Sequence, residues 1–134
     1  MRFDIETPGD DTYAELNARL VAFNEAHVPW QPDRFTVAAR DEDGVLCGGA
    51  RATVNMGLVE VRGLWLDESV RGTGLGREIM VALEKEARRR GASRAALDTY
   101  DFQARAFYEH IGYRLFGWLA YPAGVERFYM TKEL

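Results

Sequence analysis

The sequence holds one cysteine, Cys47, and two histidines, His27 and His110. A single thiol cannot form an internal disulfide, so a reducing compartment is expected, the cytoplasm first among them. Cys47 lies among apolar neighbours and reads as core packing. Neither histidine has a carboxylate or thiol at ligand spacing, which makes a metal site unexpected. No apolar run approaches the ~20 residues that span a bilayer. The opening MRFDIETPGDD carries charges where a secretory leader needs an apolar stretch. Positive charge is in deficit too, 17 Lys and Arg against 21 Asp and Glu, for a net charge of −4. That balance repels phosphate backbones and anionic lipids, so neither nucleic acid nor membrane is the expected partner. Repeats, low-complexity tracts and linkers are absent, and residues 1–134 read as one domain.

What is present is an ordinary globular composition, 47% hydrophobic and 28% charged. Residues 2–6 alternate, Phe3 and Ile5 against Asp4 and Glu6, and predict a first strand. Asp10 or Asp11 then caps a helix to about Ala26, striped by Leu16, Leu20 and Phe23. Pro29 and Pro32 break the chain around Trp30. Residues 35–40 and 45–54 are two strands of a hairpin turned at Asp43-Gly44. Asn55-Met56-Gly57 turns into a further strand over 58–66. An amphipathic helix over 74–90 follows, with Ile79, Met80, Leu83 and Ala87 inward and Gly91 at its C-terminal end. A strand over 94–99, a helix over 101–111 ended by Gly112, and strands over 113–118 and 125–132 complete the chain. The order β-α-β-β-β-α-β-α-β-β predicts an α/β fold, a mixed sheet with helices on both faces.

The most informative stretch runs from Leu64, Trp65 and Leu66 through Asp67-Glu68-Ser69-Val70 to Arg71, Gly72, Thr73, Gly74, Leu75 and Gly76. It passes from a strand through a loop into a helix. Glycines there leave the backbone amides bare, and amides at a helix N-terminus are unpaired donors at the positive end of the dipole. Such a turn suits a phosphate or pyrophosphate, with Arg71 adding a permanent charge. The pattern is neither G-x-G-x-x-G nor a Walker loop, so it points away from dinucleotides and ATP. The same glycines also serve a tight strand-to-helix turn with no ligand.

A second stretch reads Phe102-Gln103-Ala104-Arg105-Ala106-Phe107-Tyr108-Glu109-His110-Ile111-Gly112-Tyr113. Together the two resemble the GNAT superfamily of N-acetyltransferases. Its first signature, Arg/Gln-x-x-Gly-x-Gly/Ala, is matched at Arg71, Gly74 and Gly76. Its second, Ala-x-x-Phe-Tyr-Glu-x-x-Gly-Phe/Tyr, is matched at Ala104, Phe107, Tyr108, Glu109, Gly112 and Tyr113. The resemblance is strongest over residues 45–118 and implies a GNAT fold, a mostly antiparallel mixed sheet flanked by helices.

It also implies roles. Acetyl-CoA is the expected co-substrate, its pantetheine arm against the backbone of Leu64, Trp65 and Leu66 and its pyrophosphate on the amides of Arg71, Gly72, Thr73, Gly74, Leu75 and Gly76. Tyr108 stands where the family keeps the acid that protonates the departing thiolate, and a phenol holds its proton at neutral pH. Where many relatives carry Asn ahead of that tyrosine, this sequence has Asp101, which reads as a helix N-cap rather than a cofactor contact. Glu60 is the candidate base, since histone-acetylating relatives place theirs on this strand. Alternation puts Glu60, Arg62, Leu64 and Leu66 on one face, so Glu60 suits an ion pair with Arg62 equally well. Asp98 and water are rivals for the base. The acceptor is a small-molecule or peptide amine, met around Asn24, His27, Trp30 and Tyr121. Trp30 and Tyr121 fit a pocket wall, the core or a homodimer contact alike. Two other readings stay open, an acyl-CoA-binding module without catalysis and a transferase using another acyl donor.

Overall fold

The computed structural model describes every residue except Asp10. Contacts within the chain gather it into two units, residues 1–31 and residues 32–134.

In the first unit, helix α1 spans Asp11–Glu25. The cap expected at Asp10 lies outside the described residues, and Asp11 is the first helical residue rather than the cap. The expected stripe of Leu16, Leu20 and Phe23 is exposed along its whole length. Past the helix, the amides of His27 and Val28 close on the Asn24 carbonyl at 3.0 Å each. His27 Nδ1 lies 2.8 Å from the Phe23 carbonyl, with its ring 4.3 Å from that of Phe23. Residues 2–6 form no strand. Their alternation supplies a local pattern but no ladder partner, and Phe3 and Ile5 are 83% and 99% exposed.

The second unit is a six-stranded sheet in the order β1-β2-β3-β4-β6-β5. Its strands are β1 (Asp33–Arg40), β2 (Leu46–Asn55), β3 (Leu58–Leu66), β4 (Arg94–Tyr100), β5 (Arg114–Ala120) and β6 (Glu126–Glu133). Every neighbouring pair is antiparallel except β3 and β4. The β1–β2 turn is pinned by the Asp41 carboxylate, which accepts the amides of Asp43 and Val45 at 2.9 Å each. Helix α2 (Leu75–Arg89) crosses from β3 to β4, and the short α3 (Arg105–His110) links β4 to β5. The α/β class and the mostly antiparallel sheet thus match the sequence reading.

Periodicity decides which face is buried. Ala50, Ala52 and Val54 of β2, Val59 and Val61 of β3, Ala95 and Leu97 of β4 and Met130 of β6 form one cluster. Onto it α2 sets Ile79, Met80, Leu83 and Ala87, the four residues its pattern singled out, and α3 sets Tyr108. Met80, Leu83, Met130 and Val59 are its largest fully buried side chains. One buried acid accompanies them: Glu84, 5% exposed, takes hydrogen bonds from Tyr113 Oη at 3.2 Å and Lys132 Nζ at 2.7 Å. Cys47 is half-buried rather than part of this core, with its thiol 3.4 Å from the Val45 carbonyl.

Two local expectations are corrected. Strand β3 bulges at Arg62: Ala52 pairs with Val61 and Arg51 with Gly63, so one residue is extra. The bulge reverses the alternation, and Glu60 faces away from the cluster while Leu64 and Leu66 pack against it. Residues 101–104, expected in the third helix, precede α3 as a turn. There Gln103 Oε1 accepts the Tyr100 amide at 2.8 Å and the Thr99 hydroxyl at 3.2 Å. Asp101 is therefore no helix cap, and its carboxylate takes the Glu126 amide at 3.1 Å.

Candidate active site

The parallel pairing of β3 with β4 runs only from Leu58 and Arg94 to Val61 and Leu97. Both strands continue, β3 to Leu66 and β4 to Tyr100, so their ends part without a ladder between them. Residues 63–66 remain paired with β2 on one side, and on the other their backbone faces the opening. A cavity of about 1070 Å³ occupies this wedge. The candidates Glu60, Leu64, Trp65, Leu66, Arg71, Asp98 and Tyr108 all line it.

At one end lies the glycine turn. Asp67 caps a short 3-10 turn, Glu68–Val70, by accepting the Ser69 amide and hydroxyl. Those two bonds hold its carboxyl below the usual range. Arg71 Nε then folds back onto the Leu66 carbonyl at 3.3 Å, and the Thr73 hydroxyl onto that of Val70 at 2.5 Å. Gly72 and Gly74 take positive φ, 76° and 89°, which L side chains resist. A Cβ on either would meet no protein atom within 4 Å, so the space before them is open. Gly76 differs. A Cβ there would stand 3.3 Å from Leu66 Cδ1 and 3.4 Å from the Phe107 ring, and its bareness lets α2 approach β3 and α3. Leu75 packs against the core cluster. Among the described residues, the amides of residues 72–77 donate to no protein acceptor. Bare amides, open glycine faces and the start of a 15-residue helix fit a diphosphate group, so the turn suits the CoA moiety the sequence implies.

Tyr108 sits on α3 where the wedge meets the core. Its ring packs edge-on against Phe107 and Tyr113, with centroids 5.2 and 5.9 Å away, and only 8% of the residue is exposed. Its hydroxyl has no hydrogen-bond partner among the described residues. Burial first, and the Asp98 charge second, push the phenol above its usual range. It holds its proton firmly at neutral pH, as a proton donor must.

The two carboxylates are each held by an arginine. Glu60 Oε2 accepts from Arg62 Nη1 at 2.6 Å, and both groups are more than half exposed. Asp98 Oδ2 accepts from Arg127 Nη2 at 2.8 Å. Arg127 is the residue the sequence reading missed, because only the β4–β6 register sets Asp98 and Tyr100 beside it. Its guanidinium lies 5.1 Å from the Tyr129 ring centre and 5.8 Å from that of Tyr100, and Nη1 reaches Tyr121 Oη at 3.3 Å. Tyr121 Oη is in turn 3.4 Å from Tyr100 Oη. Tyr121 thus braces the wall through hydrogen bonds. Phe102 and Phe116 complete the rim, and their exposure is the signal the sequence could not give. Of the other expected acceptor contacts, Asn24 and His27 are engaged locally at the end of α1, and Trp30 is half-buried with its amide on the Val28 carbonyl at 2.7 Å.

No helix among the described residues is long and apolar enough to cross a membrane, and no cluster of three potential metal ligands occurs among them. Residues 6–113 match the acetyltransferase (GNAT) family. Blasticidin-S acetyltransferase of Streptomyces morookaense is 36% identical over 102 residues, 75% of each chain. An acetyltransferase of Agrobacterium fabrum (strain C58) is 32% identical over 110 residues, 80% of each. The crystal structure of an acetyltransferase from Bacillus cereus ATCC 14579 superposes with a TM-score of 0.89 at 26% identity, covering 98% of both chains.

Proposed function

The chain belongs to the acetyltransferase (GNAT) family, and on that premise we propose that it moves an acetyl group from acetyl-CoA to a primary amine by direct attack in a ternary complex. The observation that carries this reading is the wedge itself, which brings Arg71, at the head of the bare-amide turn, into one cavity with a buried phenol and two carboxylates. In this reading the amides and charge of Arg71, Gly72, Thr73, Gly74, Leu75 and Gly76 take the pyrophosphate. The backbone edge of Leu64, Trp65 and Leu66 that faces away from β2 takes the pantetheine arm and offers a donor to the thioester oxygen.

The chemistry then divides among named groups. The amine nitrogen bonds to the thioester carbon, the carbon–sulfur bond breaks, and the sulfur leaves with the Tyr108 proton. The proton lost by the amine goes to a carboxylate, Glu60 or Asp98, and solvent restores Tyr108. A blasticidin-S acetyltransferase among the relatives supports a small-molecule amine as acceptor. The family match runs across both units, which supports one transferase domain over residues 1–134. We place it in the cytoplasm, where the lone Cys47 stays reduced, and as a homodimer, which would cover the exposed Leu16, Leu20 and Phe23 of α1.

A thermal-shift titration with CoA tests the cofactor assignment. A ligand at a hundred times its Kd stabilises the folded state by ~2.7 kcal/mol, which raises Tm clearly. A flat titration into the millimolar range overturns it.

A further inference from the structure

The acceptor end of the cavity has more character than a transferase of any amine requires. Two phenylalanines stand at its rim with most of their surface in solvent, Phe102 at 70% and Phe116 at 59% exposure. Water gains nothing from either ring, and exposed aromatic faces around one cavity mark a surface shaped for a ligand. Neither ring is loose. Phe102 is stacked on Tyr100, with centroids 5.3 Å apart and planes within 10°, so one face is backed and the other is open. Tyr100 is itself braced edge-on by Tyr121 at 5.7 Å. Phe116 leans on Tyr129 at 6.3 Å. The inner faces of Tyr100 and Tyr129 are occupied by the Arg127 guanidinium. Of the aromatic side chains that line the cavity, Phe102 and Phe116 are the most exposed, ahead of Trp65 at 50%.

Beyond these rings lies Asp98. Arg127 engages its Oδ2, and its other oxygen accepts no hydrogen bond from the described residues. Asp98 lines the same cavity as Tyr108, the proposed acid.

Resting on the acetyltransferase reading above, we propose that the acceptor is an amine carried by a planar, unsaturated ring system. The ring lies against Phe102 and Phe116, and the amine hydrogen-bonds to the open oxygen of Asp98. Arg127 is a positioning residue here. It fixes the carboxylate by an ion pair and fixes the aromatic wall by filling the space between Tyr100 and Tyr129. An aliphatic ring of the same size is thicker and lacks the flat face, so it stacks less closely.

The test uses the whole chain with acetyl-CoA and amine pairs matched in size, with rates compared per unprotonated amine because the aryl members are less basic: benzylamine with cyclohexylmethylamine, and 2-phenylethylamine with 2-cyclohexylethylamine. The planar member of each pair should show a kcat/KM about threefold to tenfold higher, the value of one aromatic stacking contact. Phe102→Ala, on an exposed turn, should erase that preference by raising the KM of the planar amine while the KM of acetyl-CoA stays put. Arg127→Gln should raise the amine KM for both members of a pair and again spare acetyl-CoA, whereas a merely structural loss would move both substrates. Equal or inverted preference within the pairs overturns the proposal, as does an unchanged preference in Phe102→Ala. If acetyl-CoA binds but every amine in the panel is refused while an aminosugar is acetylated, the planar-ring proposal fails and the transferase reading stands. If acetyl-CoA does not bind, that reading fails first.

Discussion

Asp98 and Tyr108 border one cavity from different elements, and the carboxylate adds its charge to burial in keeping the phenol protonated. An acid without another partner can spend its proton on whatever enters the cavity. Tyr108→Phe removes that proton and keeps the ring between Phe107 and Tyr113. Turnover should fall roughly 10²–10⁴-fold, the usual share of a positioned proton transfer. Affinity for acetyl-CoA, measured by calorimetry, should stay near the wild-type value. Near-normal turnover with chemistry rate-limiting would remove Tyr108 from the mechanism.

The same phenol sets a pH limit. Raised in the folded chain, Tyr108 holds its proton more tightly than it does when unfolded. Its contribution to stability is complete below the ordinary phenol value and is lost as pH climbs through the raised one. Tyr113 adds to this, pushed up by burial and then by the Glu84 charge. Denaturation midpoints should therefore decline above about pH 10. Tyr108→Phe should decline less steeply there. Parallel curves for the two proteins would contradict the assignment.

Gly74 separates the needs of the ligand from those of the fold. A Cβ there would meet no protein atom within 4 Å, so the main cost to the fold is the positive φ of 89°. Gly74→Val should stay folded, less stable by roughly 1–2 kcal/mol. It should bind CoA roughly tenfold more weakly or worse, since its branches occupy the space before the amides. Unchanged CoA affinity would leave the turn as a turn and nothing more.

The two signatures were legible because each is local. Glycine spacing at a strand-to-helix passage, and Phe107-Tyr108 ahead of Gly112, carry their meaning within a dozen residues. The alternation of residues 2–6 was equally local, but a strand exists only by pairing, and the sequence names no partner. The bulge at Arg62 is a register event between β2 and β3, so the face of Glu60 could not be read from β3 alone. The pairing of Asp98 with Arg127 joins residues brought together only by the β4–β6 ladder. Residues 101–104 scored as helix because nothing in them breaks one. The Gln103 side chain, caught by the Tyr100 amide, is what holds them as a turn.

Glu84 teaches the same lesson in the core. It follows Leu83 on the buried face of α2, where an acid is expensive unless paired. Lys132→Met would remove its closest cation, 2.7 Å away, and leave Arg88 at 4.0 Å as the remaining one. Stability should drop by ~3 kcal/mol, the low end for a broken buried pair because Lys132 keeps some solvent. Chemical denaturation checks the figure. A loss too small to measure would mean that Tyr113 and Arg88 suffice.

The central claim, that this wedge moves an acetyl group from acetyl-CoA to an amine, is tested most directly by following release of the CoA thiol with the amine acceptor present and absent, and weighing the product. The account predicts thiol release that depends on the amine, an acceptor heavier by one acetyl group, and loss of both in Tyr108→Phe. Tight CoA binding with no amine in the panel acetylated, or thiol release indifferent to the amine, would contradict it.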